Sequence, residues 1–168
     1  MTRPADRQRS RVYAWEDIVV TVADTSVIPF SLAQGMVDAI WSELGLRFPP
    51  KVERLPRQSR RLQADGSRLR LRLPDRVPSW LLLHEVAHAL SSTADGTSDG
   101  HGSAFMGLYI RLLTLYLRMP AATLIGSATE AGIVVDTEAR PFFADQTASP
   151  GKQRPTGADP VLSVARRT

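Results

Sequence analysis

The sequence predicts an α+β domain, and three observations predict it. Segments 31–44 and 102–118 carry apolar residues at the spacing of a helix face. Between them Arg68-Leu69-Arg70-Leu71-Arg72-Leu73 alternates strictly, which suits a half-buried strand and not a helix. Trp80–Leu90 is apolar all round apart from two histidines and a glutamate, which places a helix in the interior.

In chain order, residues 1–11 hold Arg3, Arg7, Arg9 and Arg11 and read as a basic flexible arm. Tyr13–Val22 is apolar enough to be ordered, with an ambiguous period. Ser31 followed by Gln34 reads as a capping box. The helix it opens carries a stripe of Leu32, Met36, Ile40 and Leu44, with Val37 and Trp41 alongside, and Gly45 stands at its C-terminal cap. Lys51–Arg57 suits a short strand, and Pro56 marks it as an edge. Arg60–Gln63 and Arg68–Leu73 flank Ala64-Asp65-Gly66-Ser67 as the arms of a hairpin around its turn.

Pro78 can open the next helix, because its missing N–H is not needed there. Ser91–Gly100 is small and polar, hence a loop. The helix over 102–118 presents Phe105, Leu108, Tyr109, Leu112 and Tyr116, and Pro120 stops it. A third helix over 121–131 and a short strand at Ile133–Val135 follow. Pro, Gly, Thr and Arg dominate residues 144–168, which read as a disordered tail, leaving 12–143 as the domain.

There is no cysteine, which excludes disulfides, zinc ribbons, iron–sulfur clusters and thiol catalysis. No apolar run approaches the roughly 18 residues of a membrane span, and no apolar stretch follows the basic N-terminus as in a signal peptide. A cytoplasmic protein without a membrane partner is expected.

The chemistry is concentrated in His84-Glu85-Val86-Ala87-His88, an HExxH pattern on the interior helix. Histidines at i and i+4 lie one above the other on a helix face and can grip one metal ion. Glu85, one residue on from His84, is turned toward the open side of that ion, where a bound water would lie. Burying a carboxylate and two imidazoles without partners costs several kcal/mol, and a metal with its water compensates. A catalytic zinc wants a third protein ligand and one open position. The candidates, in order, are His101, Asp99 and Glu130. His101 is the only other histidine, and the 91–100 loop can fold it back over the metal. Asp95 and Asp99 also suit turns or the orientation of an imidazole.

Leu83–Leu90 followed by His101-Gly102-Ser103-Ala104-Phe105 resembles the SprT-like zinc metallopeptidases, whose HExxH helix is followed by a loop and then His-Gly-x-x-Phe. More closely the chain resembles a group of metallohydrolases from actinobacteria and their phages, specifically over 80–118 and more loosely over 10–140. The resemblance implies a zincin-like fold, with a small mixed sheet packed on the motif helix and on the long helix after it. It implies one Zn2+ per chain held by His84, His88 and His101, with Glu85 as catalytic acid/base. The cysteine ribbon common in SprT-like proteins has no counterpart here, which weakens any nucleic-acid role borrowed from them.

Residues 47–76 hold ten basic and three acidic residues, a local charge of +7 in a chain of +4. Such a segment could attract nucleic acid or an acidic substrate. The favoured function is a zinc metallopeptidase acting on a protein or peptide, with a metal-bound water and Glu85 as general base. The alternatives are a nucleic-acid-binding domain with a structural metal, or a regulatory peptidase cleaving a specific partner. Tyr109 and Tyr116 are candidates for a second oxyanion donor. Substrate is expected to add as a strand beside Arg68–Leu73, with Arg68, Arg70 and Arg72 facing outward.

Overall fold

A computed structural model describes residues 6–56 and 64–143. The chain opens with α1 (Arg9–Trp15), a π-helical stretch (Glu16–Val20) and α2 (Thr21–Ala23). There follow β1 (Val27–Pro29), α3 (Phe30–Glu43), β2 (Lys51–Arg54), β3 (Asp65–Gly66), β4 (Arg70–Leu73) and β5 (Arg76–Pro78). The second half is helical, with α4 (Ser79–Leu90), α5 (Ser103–Leu117) and α6 (Ala121–Glu130). The architecture is therefore mixed α+β. No helix among the described residues is long and apolar enough to cross a membrane.

α4 occupies the centre because it has no polar face to give to water. Leu81, Leu82, Leu83, Val86, Ala87, Ala89 and Leu90 are all buried, and the helix packs against α5, β3, β4 and β5. β4 is the middle strand of a three-stranded sheet, parallel to β2 and antiparallel to β3. Its alternation works as the pattern predicts, since Leu71 and Leu73 are fully buried while Arg70 and Arg72 face away. β1 and β5 form a separate antiparallel pair just ahead of α3 and α4.

α3 ends at Gly45 in a Schellman arrangement. Gly45 takes φ +70°, its N–H bonds the Ser42 carbonyl, and the Leu46 N–H reaches back to Trp41. The start of α3 differs from the capping box at Ser31. Pro29 is the cap residue, Ser31 lies inside the first turn, and the Gln34 side chain instead accepts from the Val52 N–H at 2.7 Å. Gln34 thus fastens α3 to β2. The buried face is also rotated from the expected stripe. Ala33, Val37, Ile40 and Trp41 are inside, while Leu32 and Met36 are exposed.

Three further expectations are corrected. Asp65 and Gly66 are strand rather than turn, and the reversal lies at Ser67–Leu69, where the Ser67 N–H bonds the Arg70 carbonyl. The other arm of that hairpin, Arg60–Gln63, lies outside the described residues, as does the tail 144–168. Ile133–Val135 joins no sheet, because the Gln8 side chain occupies its backbone: Gln8 Oε1 accepts from the Val134 N–H at 2.6 Å. From Asp6 onward the N-terminal arm is part of the fold. Gln8 is buried, helix begins at Arg9, and Trp15 Nε1 donates to Ser127 Oγ on α6 at 2.9 Å.

Each of the three acids of the Arg-rich segment pairs with a cation of that segment. Arg54 pairs with Asp75, Arg72 with Asp65, and Arg70 with Glu53 at 3.6 Å. Arg68 lies over the rings of Trp41 and Phe143 and donates to the Phe48 carbonyl. Hydrogen-bonded on both sides, β4 offers no free edge to a peptide, contrary to the strand-addition expectation.

Candidate metal centre

His84 and His88 project from successive turns of α4, and their Nε2 atoms lie 3.1 Å apart. His101 arrives from the residues just before α5, with Nε2 3.3 Å from that of His84. The ligand atoms of the three histidines all lie within 4.8 Å of one another, close enough to bind one metal ion. Two nitrogens held by one tetrahedral zinc at about 2.05 Å would be about 3.3 Å apart, so the observed spacing suits such an ion.

The chemistry of the donor set agrees. His84 Nδ1 lies 2.5 Å from Glu16 Oε1, and His101 Nδ1 lies 2.6 Å from Asp6 Oδ2. An imidazole that donates its Nδ1–H to a carboxylate keeps a lone pair on Nε2. Lone pairs of two neutral rings then face one another at hydrogen-bond distance, an arrangement that a cation stabilises and an empty space does not.

The loop between His88 and His101 is shaped by its own side chains. Asp95 accepts from the Thr97 N–H at 3.2 Å, making an Asx-turn, and Gly96 takes φ +89°. Asp99 accepts from the Phe105 N–H at 2.9 Å and so satisfies a free donor at the start of α5. A Cβ on Gly102 would overlap the Asp99 carboxylate, so this cap needs a glycine there. Asp95 and Asp99 are thus structural, neither orienting an imidazole. Glu130, exposed at the end of α6, lies outside the histidine cluster.

Glu85 is only 4% exposed. Burial pushes its carboxyl up to about 8, and the negative charges of Asp65 and Glu16 add to the shift. β3 runs directly over it. A Cβ on Gly66 would stand 2.7 Å from both the Glu85 carbonyl oxygen and Oε2, so only a bare backbone fits at this crossing. Burial likewise raises Glu16 to about 8 and lowers His84 to about 3 and His88 well below its usual value. A divalent cation at the convergence of the imidazoles would draw both carboxyls back toward their ionised forms.

Phe105 packs against all three imidazoles, at centroid distances of 5.0, 4.4 and 5.0 Å from His84, His88 and His101. Tyr109 is fully buried, and its hydroxyl donates to the Trp80 carbonyl at 3.5 Å. Tyr116 bonds Glu43 at 2.6 Å. Neither tyrosine therefore has a free hydroxyl to offer a substrate.

The sequence reading brought together His84, His88 and His101 and missed Asp6 and Glu16. Both lie in the segment read as an arm and an ambiguous helix, and no spacing rule ties them to histidines 95 and 68 positions away. Chemical logic gave one signal, since a metal-bound imidazole needs an acceptor for its other nitrogen. No protein family matches the chain, and neither a curated protein nor a solved structure is similar to it.

Proposed function

We propose that the protein is a zinc-dependent metallohydrolase of zincin-like build that cleaves amide bonds in proteins or peptides. The observation that carries this reading is the convergence of three Nε2 atoms, two of them on rings backed by carboxylates, beside a buried glutamate of the same helix. Three neutral imidazoles leave one position of a tetrahedral zinc open, as a catalytic rather than a structural site requires. When bound, the metal would supply a Lewis acid and lower the pKa of water.

The residues divide the remaining work. His84, His88 and His101 bind. Glu16 and Asp6 hold two of those rings in one tautomer and one orientation. Phe105 keeps water from the protein side of the cluster. The Glu85 carboxylate takes a proton from the attacking water and delivers it to the amine nitrogen as the C–N bond breaks. A purely structural metal would have no use for that carboxylate.

The test pairs elemental analysis with the Glu85→Gln variant. Protein purified without added metal should carry one zinc per chain and cleave an unfolded protein such as casein. Glu85→Gln should keep the zinc and lose the cleavage. Absence of any transition metal, with no rise in melting temperature on adding zinc, would refute the site. Full cleavage by Glu85→Gln would refute the mechanism.

A further inference from the structure

We infer that Tyr13, backed by Arg9, donates the hydrogen bond that stabilises the substrate's carbonyl oxygen as negative charge develops on it; this rests on the hydrolase reading above. The chain has three tyrosines. Tyr109 and Tyr116 are engaged as described, which leaves Tyr13. It is 39% exposed, yet its ring is stacked on His84 at 6.0 Å and meets His101 edge-on at 5.0 Å. A side chain that touches two of the three metal-binding rings and also reaches solvent lies where a substrate must approach.

The position is fixed by its neighbours. Val12 and Trp15 anchor α1 in the core, Glu16 bonds His84, and Asp6 bonds His101. Tyr13 therefore stands between the two places where the N-terminal segment grips the metal centre. One turn earlier, Arg9 places its guanidinium carbon 5.5 Å from the Tyr13 ring centroid. A guanidinium accepts no hydrogen bond, so Arg9 cannot take the phenol's proton, and no acceptor for it is found among the described residues. A cation beside the phenol favours negative charge on its oxygen and so makes the hydroxyl a stronger donor.

The step balances without a new reactant. Water adds to the amide carbon and its proton passes to Glu85. The C=O electron pair moves onto oxygen, where Tyr13 donates a hydrogen bond and keeps its own proton. That pair returns as the C–N bond breaks, and Glu85 gives the proton to the amine.

The test uses the full chain reconstituted with Co2+, whose visible spectrum reports the centre, and inorganic phosphate as a tetrahedral anion. Tyr13→Phe should take up cobalt with wild-type affinity and spectrum and melt at the wild-type temperature. It should bind phosphate about tenfold more weakly, the loss of one charge-assisted hydrogen bond. On casein its kcat should fall about 100-fold, with KM little changed. Arg9→Leu, which keeps the phenol, should show a smaller loss of both. Equal phosphate affinity in wild type and Tyr13→Phe, or no phosphate binding by the cobalt-loaded wild type, would overturn the role of Tyr13 alone. A wild type that takes up no cobalt would overturn the hydrolase reading, and this inference with it.

Discussion

Glu16 Oε1 lies 2.5 Å from His84 Nδ1, and both side chains are 3% exposed. A buried carboxylate thus sets which nitrogen of a buried imidazole keeps its lone pair. The π-helical stretch begins at Glu16 itself, where the backbone leaves α geometry.

Replacing Glu16 with Gln should leave the fold intact and weaken zinc by about 10- to 100-fold, the usual cost of losing such a partner. Gln can still accept a hydrogen bond through its carbonyl oxygen but carries no charge to strengthen the ligand. Competition with a chromophoric chelator measures the effect. Unchanged zinc affinity would show that the Glu16 contact does not tune the ligand.

Gly66→Ala tests the crossing of β3 over α4. The new Cβ would meet the Glu85 carbonyl oxygen, which the helix cannot move, at 2.7 Å. Such overpacking should cost about 1–3 kcal/mol of stability. Displacement of the Glu85 carboxyl should lower turnover further, with zinc content unchanged. Denaturant melts, metal analysis and kinetics separate the two effects, and a wild-type melt would contradict the geometry.

The pH dependence of the metal-free protein follows from its buried carboxyls. Glu16 and Glu85 rise from 4.5 in the unfolded chain to about 8 in the folded one. Between those values the folded state holds protons that the unfolded state has released, so stability falls as pH rises. His84, lowered to about 3 from 6.5, acts oppositely but only below pH 6.5. Metal-free protein should therefore melt lower at pH 8 than at pH 6.5. Zinc favours ionised carboxylates and neutral imidazoles, so loading should abolish or reverse that trend. Thermal melts in chelator and in zinc at the two pH values check it; a metal-free protein that melts higher at pH 8 would contradict it.

What the sequence made legible was local. The His84–His88 pair follows from helical spacing, α4 from its apolar surround, and the burial of Leu71 and Leu73 from alternation. His101 could be proposed because no other histidine competed. The face of α3 was misjudged because Ala33, Val37, Ile40 and Trp41 fit helical spacing as well as the larger-looking stripe through Leu32 and Met36. Gly66 read as a turn former, whereas its small size serves a close approach that only tertiary packing reveals. Asp6, Glu16 and Tyr13 left no periodic trace, since each meets its partner through chain separations that no local pattern encodes.

Gln8 donates to the His101 carbonyl at 3.0 Å and accepts from the Val134 N–H at 2.6 Å. One amide thus ties together a stretch made early in synthesis, the third histidine, and a stretch made 126 positions later. A nascent chain that has passed His101 owns all three histidines and Glu85 but not the backbone of Val134 to which Gln8 fastens. Having the histidines and fixing them are separate events during synthesis, and the second is complete only with Val134. A chain cut short before Val134 would therefore carry the same three histidines without the full set of bonds that seats Gln8 against His101.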